Sequence, residues 1–280
     1  MKIVIAGIKG YLGFKSKNFF QSKGYEVFNY KKKIPKNIDV IINMSGPTQQ
    51  YCKKFPNKTK NFRAKLNKKL IKIANKKKAK FFFYISTMHV YKDSKILKSN
   101  SKLYPNNPYS VSHINGEKEI LKSSKIYKNI NFKILRLTNC VGSPNKKNCN
   151  SWMLLINDIC KQAICKNYIK IHSRTNINID FITVSYFLNS LLFLIKKENK
   201  NQIINISSEK SISLLKIIKI VESRFYSLFK KKIKVIHNID STSSKKKIIV
   251  NTLKKKFQNN LKKNIDQLYY LQKKILINNE

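Results

Sequence analysis

An α/β fold, built on a doubly wound parallel sheet with a smaller C-terminal region, is predicted by three observations on this 280-residue sequence. A short apolar run at the N terminus enters a glycine-spaced loop that opens a helix. Strand-like and helix-like stretches then alternate through the first half. Beyond Pro144 that alternation gives way to mainly helical patterns. Alternating strands and helices imply βαβ units, whose crossovers make the sheet parallel and cover both of its faces.

Each element has its own signal. Lys2-Ile3-Val4-Ile5-Ala6 is apolar and β-branched at three positions, the pattern of a buried strand. It runs into Gly7-Ile8-Lys9-Gly10-Tyr11-Leu12-Gly13 and a helix over 12–22. Glycines at that spacing permit a tight turn, close approach of backbone to a pyrophosphate, and close helix–sheet packing, and the helix start presents N–H groups and a positive dipole end. Further strands are expected near 25–29, 38–43, 79–85 and 132–136, and helices over 57–77 and 109–125. Residues 92–108, with Asn100, Pro105, Asn106, Asn107 and Pro108, read as a loop that ends before a helix headed by Tyr109. Farther on, Trp152 to Ala163, 184–197 and 211–229 read as helical. Leu261, Ile265, Leu268 and Leu271 keep apolar spacing in a lysine- and asparagine-rich tail, which predicts a terminal helix.

Composition points first to polyanions and then away from them. A net charge of +46 and a pI near 10.1 would ordinarily suggest nucleic acid or an anionic membrane surface. Yet of the 59 basic residues only Arg63, Arg136, Arg174 and Arg224 are arginine, the residue that reads bases and forks onto phosphates. The lysine excess is scattered and accompanies asparagine and isoleucine, which share A/T-rich codons. No specific nucleic-acid partner is therefore expected, only salt-sensitive sticking to polyanions. No run approaches the roughly 18 apolar residues of a membrane span, and a start that is a strand entering a glycine loop leads us to expect no secretory signal. Cys52, Cys140, Cys149, Cys160 and Cys165 form no C-x-x-C pair, so free thiols in a reducing cytosol are expected. The four histidines lack metal-ligand spacing, and no metal site is expected.

Several further segments follow in a fixed order: Asp39-Val40-Ile41-Ile42-Asn43-Met44-Ser45-Gly46, Phe83 to Tyr91 with Ser86-Thr87-Met88-His89, Tyr109-Ser110-Val111-Ser112-His113 with Glu117, Arg136 to Pro144 with Asn139, Asp180-Phe181-Ile182, and Ile203 to Ile206. In these segments the chain resembles the extended short-chain dehydrogenase/reductase family, the NAD(P)-dependent epimerases, dehydratases and reductases of nucleotide sugars. The resemblance implies a Rossmann-type sheet over residues 1–145. It also implies that 146–280 is mainly a substrate-binding region, with a segment returning to the sheet. Gly7, Gly10, Tyr11, Leu12, Gly13, Lys31, Ser45, Tyr109 and His113 are then the cofactor-binding residues, and Thr87, His89 and Asn139 lie toward the substrate.

The chemistry implied is proton transfer coupled to hydride transfer. Tyr109 is the candidate acid/base, and a phenol near pKa 10 must fall by about three units to work at neutrality. Thr87 supplies a second hydroxyl to the same substrate oxygen. His113 stands one helical turn after Tyr109 on the same face, where the family has lysine. A histidine titrates near 6.5, so its help to Tyr109 is expected to be pH-dependent. Met88 and His89 stand where the family's dehydratases carry acids, which disfavours dehydration and leaves epimerisation or carbonyl reduction. Ile179 stands where an arginine contact to a diphosphate is usual, with Arg174 or lysines as replacements. Lys31-Lys32-Lys33 after the second strand favours NADP over NAD, because an acidic residue there would select the ribose 2′-hydroxyl. Only about seven residues join that strand to Asp39, so the usual intervening strand is missing.

The expected protein is a cytoplasmic NAD(P)-dependent epimerase or ketoreductase of a nucleotide-linked sugar, serving surface polysaccharide biosynthesis. The rival is a cofactor-binding sensor or scaffold with a degenerate Tyr-x-x-x-His site. A homodimer is expected through the helices at 57–77 and 109–125, using Leu66, Leu70, Ile73, Ile114 and Leu121.

Overall fold

The structure, a computed structural model, describes residues 1–144, 150–173, 176–197, 202–239, 247–253 and 255–277. The chain divides into two compact units, one of residues 1–138, 188–206 and 250–255, the other of 139–187, 207–249 and 256–280. The expected boundary at 145/146 falls outside the described residues, as do Cys149 and Arg174. The first unit changes to the second between Thr138 and Asn139.

In chain order the elements are β1 (Lys2–Ala6), α1 (Tyr11–Ser22), β2 (Glu26–Asn29), β3 (Val40–Asn43), α2 (Gln49–Lys54), α3 (Pro56–Thr59), α4 (Phe62–Lys76), β4 (Phe81–Thr87), β5 (Ile96–Leu97), α5 (Pro108–Ile126) and β6 (Asn131–Leu137). Then come β7 (Asn139–Val141), α6 (Leu155–Lys166), β8 (Tyr168–Ile171), β9 (Asn178–Thr183), α7 (Val184–Lys196), β10 (Gln202–Ile206), β11 (Ser211–Ser213), α8 (Leu214–Phe229), β12 (Lys234–His237), β13 (Ile248–Ile249) and α9 (Leu261–Ile277).

The first unit holds a six-stranded parallel sheet in the order β10-β6-β4-β3-β1-β2, a Rossmann-type doubly wound arrangement. The chain winds from β1 to β2 in one direction and from β3 onward in the other. The strand order therefore reverses between β1 and β3, where open α/β sheets take their ligands. Continuous apolar runs make these strands because both faces are covered. All seven residues of β4 are buried. On one face Val4, Ile41, Phe82, Tyr84, Phe132 and Ile134 pack with Leu66, Leu70 and Ala74 of α4 and Ile120 of α5. Between β2 and β3 there is no further strand or helix.

Several details differ from the sequence expectation, among them β5 within residues 92–108, which read as a loop. The helix expected over 57–77 is broken into α3 and α4. The carbonyls released at the break are taken up by α5: Ser112 donates to the Thr59 carbonyl at 2.8 Å and Asn115 to that of Lys60 at 3.1 Å. The helix expected over 211–229 starts at Leu214, because Ser211–Ser213 pairs antiparallel with β9 and Ser213 caps the helix. Of the apolar residues expected to face a second copy, Leu66, Leu70 and Ile114 are buried in this chain's own core. Phe62, Leu121 and Ile126 are the exposed large apolar side chains on α4 and α5.

The second unit packs α6, α8 and α9 around Trp152, Ile156, Ile217, Val221, Phe225 and Tyr269. Ile265 and Leu268 of the terminal helix are fully buried there, and Arg224 forks onto Asp266 at 2.7 and 2.8 Å, joining α8 to α9. Among the described residues no helix is long and apolar enough to cross a membrane.

Candidate active site

The glycine loop follows from backbone geometry. Gly7 has φ +88°, a conformation that favours glycine, and a Cβ there would lie 2.9 Å from the Met44 backbone and 3.0 Å from the Ser45 nitrogen. A Cβ on Gly13 would sit 2.1 Å from the Gly7 carbonyl oxygen, so α1 can start this close to β1 only with glycine there. At Gly10 the nearest atom to a Cβ is the Gly7 oxygen at 3.2 Å, and Gly10 is exposed. Gly10 is the N-cap and has no side chain to satisfy the first-turn amides of α1, which helices cannot pair internally. Tyr11 and Leu12 begin that turn, half-buried, and Ser45 lies against Gly7 at the strand-order reversal. This is a cradle of backbone amides suited to a pyrophosphate. Gly13→Ala is expected to destabilise the fold, whereas Gly10→Val should fold and lose dinucleotide binding. Thermal melts and a fluorescence titration with NADPH distinguish them, and tight binding by Gly10→Val would misplace the site.

The head of α5 is built as firmly. Asn107 accepts from the Ser110 amide at 2.9 Å while its own amide donates to the Ser110 hydroxyl at 3.3 Å, a capping box that sets Tyr109 one residue inside the helix after Pro108. The Tyr109 ring meets the His113 ring edge-on at 4.6 Å, and the His89 ring lies 6.4 Å away. Among the described residues the Tyr109 hydroxyl has no hydrogen-bond partner. Burial pushes its pKa upward, and Arg63 opposes that push. Thr87 ends β4 and accepts from the His89 amide at 3.3 Å, which leaves its own O–H free to donate.

His113 is buried, and its Nδ1 lies 3.0 Å from the Tyr84 hydroxyl. Gly116 makes room for that tyrosine, since a Cβ there would stand 2.6 Å from its oxygen. Nε2 is buried without a partner among the described residues. With the phenol donating to Nδ1, the neutral ring carries its proton on Nε2, free to bond a ribose hydroxyl. Burial, then Arg63 and His89, hold the His113 pKa well below the usual histidine value. Burial and these two neighbours thus disfavour a charge on His113, against the charge-based help to Tyr109 expected from the sequence.

The cation beside Tyr109 is Arg63, which sequence reasoning did not place in the site. Its guanidinium carbon lies 5.0 Å from the Tyr109 ring centre. The scarcity of arginine in this lysine-rich chain was the available signal. Glu117 proves structural, accepting from Nε and Nη2 of Arg136 at 3.0 and 2.6 Å and from the Ser86 hydroxyl at 2.5 Å. Arg136 also donates to Tyr91, whose hydroxyl donates to Asn205.

Two further expected residues are Lys31 and Asn139. Lys31 is exposed just beyond β2, with its Nζ 5.9 Å from the Tyr30 ring centre. Asn139 begins β7 in the second unit and donates to the Asp180 carbonyl at 3.2 Å. Cys52, Cys140, Cys160 and Cys165 are free, and no cluster of metal-ligating side chains occurs among the described residues.

A family model described as NAD dependent epimerase/dehydratase family matches residues 29–207. No curated protein matches the sequence. Among solved structures, RMD from Pseudomonas aeruginosa complexed with NADPH is similar with a TM-score of 0.81 at 16% identity, over 98% of this chain and 99% of that one. UDP-glucose 4-epimerase from Thermotoga maritima with UDP-glucose gives 0.81 at 14% identity, over 99% and 100%. TunA, an NAD-dependent NDP-hexosamine 5,6-dehydratase of tunicamycin biosynthesis, gives 0.80 at 15% identity, over 97% and 98%. At such identities the likeness is one of fold.

Proposed function

Because this chain belongs to the NAD-dependent epimerase/dehydratase family, we propose that it is an NAD(P)-dependent epimerase or ketoreductase of a nucleotide-linked sugar. The observation that carries this reading is a tyrosine hydroxyl without a partner among the described residues, fixed at the head of α5 beside a cation, with an imidazole nitrogen one turn on that is likewise unpartnered among them. The nicotinamide, when bound, supplies the hydride chemistry. The α1 amides and the Gly7–Gly13 cradle would hold the pyrophosphate, and His113 Nε2 a ribose hydroxyl.

Tyr109 gives or takes the proton of the sugar hydroxyl, and Thr87 orients the same oxygen with its O–H. Met88 and His89 offer no carboxylate to remove a ring proton, which supports epimerisation or reduction over dehydration. The exposed Lys31 supports NADP, since its ammonium complements a 2′-phosphate. A homodimer through α4 and α5 would use Phe62, Leu121 and Ile126, and a strictly monomeric mass by light scattering would contradict it.

The test is turnover across a panel of nucleotide sugars with each cofactor. Turnover is expected, with NADPH bound more tightly than NADH and the preference flattened in Lys31→Asp. Cofactor binding without turnover of any nucleotide sugar would favour the sensor instead.

A further inference from the structure

Arg63 is a buried cation that the reading of Tyr109 as acid/base does not by itself explain. It is 4% exposed and projects from α4 toward the head of α5. One arm donates to the Ser112 hydroxyl at 3.0 Å, another to the Pro47 carbonyl at 2.7 Å. Ser112 in turn is anchored on the Thr59 carbonyl at the break between α3 and α4. Among the described residues no carboxylate pairs with Arg63, whereas Arg136 forks onto Glu117 and Arg224 onto Asp266. A buried charge without a counter-ion is costly to keep, and both of its hydrogen bonds go to neutral oxygens. What it does have is the face of Tyr109, 5.0 Å from its guanidinium carbon. The chain even clears space for it: a Cβ on Gly46 would stand 2.7 Å from three guanidinium atoms.

We propose that Arg63 is a positioning residue that supplies Tyr109 with the fixed positive charge for proton transfer, in place of a charge on the α5 residue one turn later. His113 takes the other half of that task, hydrogen bonding through its ring nitrogens. The guanidinium stays protonated across the working range, so the help it gives does not fade with pH as a histidine's would. It stabilises the phenolate over the phenol, against the burial that favours the phenol. The other titratable groups that face Tyr109 are Cys52 of α2, His89 after β4, His113 on its own helix, and Tyr84 beyond His113. Arg63 is the arginine of this group, and a guanidinium's charge does not depend on pH in this range.

This inference rests on the proposed role of Tyr109, so its test is read on the free protein as well as on turnover. With ζ-carbon-labelled tyrosine, the Tyr109 NMR signal is the one missing from Tyr109→Phe, and its titration reports the phenolate directly. In Arg63→Gln that titration should move to higher pH, and in Arg63→Lys it should stay near that of wild type. Gly46→Ala guards against a misfolded Arg63 variant, because the nearest atoms to its methyl are those of the Arg63 guanidinium; it should move the titration in the same direction. The alkaline-side rise of sugar oxidation should shift upward in step, lowering turnover at pH 7 roughly tenfold or more. A Tyr109 titration unchanged in both folded variants would overturn the proposal even if the enzyme turns over. A shifted titration with no turnover of any nucleotide sugar would keep the electrostatic role and reject the enzymatic reading.

Discussion

Tyr109→Phe is expected to lower turnover by about 100- to 10,000-fold, the usual contribution of a positioned acid/base, while NADPH affinity changes little. The substitution removes one hydroxyl that bonds no protein group among the described residues, so neither the capping box nor the packing around His113 loses a partner. The ring keeps its edge contact with His113 and its face toward Arg63. A loss confined to kcat, with KM for the sugar nearly constant, marks an interaction made in the transition state. An equal loss in cofactor binding, or a drop in melting temperature of several degrees, would instead make Tyr109 a structural residue.

Arg136→Met is expected to cost about 3–5 kcal/mol of stability, because it leaves the Glu117 carboxylate buried without its partner. Arg136 is 2% exposed on β6, between β4 and β10, and donates from Nε and Nη2 to a carboxylate that is 1% exposed. The same guanidinium holds Tyr91 and the Ser99 carbonyl, so one substitution strands several buried acceptors. Replacing both partners, Arg136→Met with Glu117→Leu, should recover most of the loss, since no charge then remains to be desolvated. Urea unfolding of the two single variants and the double variant reads this directly. Additive losses in the double variant would show that the pair is not the unit of stability.

Both predictions depend on features of different origin. The parallel sheet, the glycine cradle and the headed α5 helix were legible in the sequence because each is written in contiguous residues. Val4 and Ile5 make a buried strand by local pattern, Gly7 and Gly13 make a turn that a Cβ would close, and Asn107-Pro108 starts a helix by capping. Tyr109 and His113 could be paired from their spacing alone, since one turn of helix stacks them.

What the spacing could not tell was the state of His113 or the origin of the charge beside Tyr109. Ionisation depends on burial and on neighbours brought by other elements. Packing of α4 against α5 places Arg63 at the ring and buries the imidazole, and Ser112 and Asn115 take up the carbonyls at the break after Thr59. The sequence alone thus determined the frame and the place of the Tyr109 hydroxyl at the head of α5. The tertiary structure decided the electrostatics, because a field at one atom is the sum over groups that only folding brings within a few ångströms.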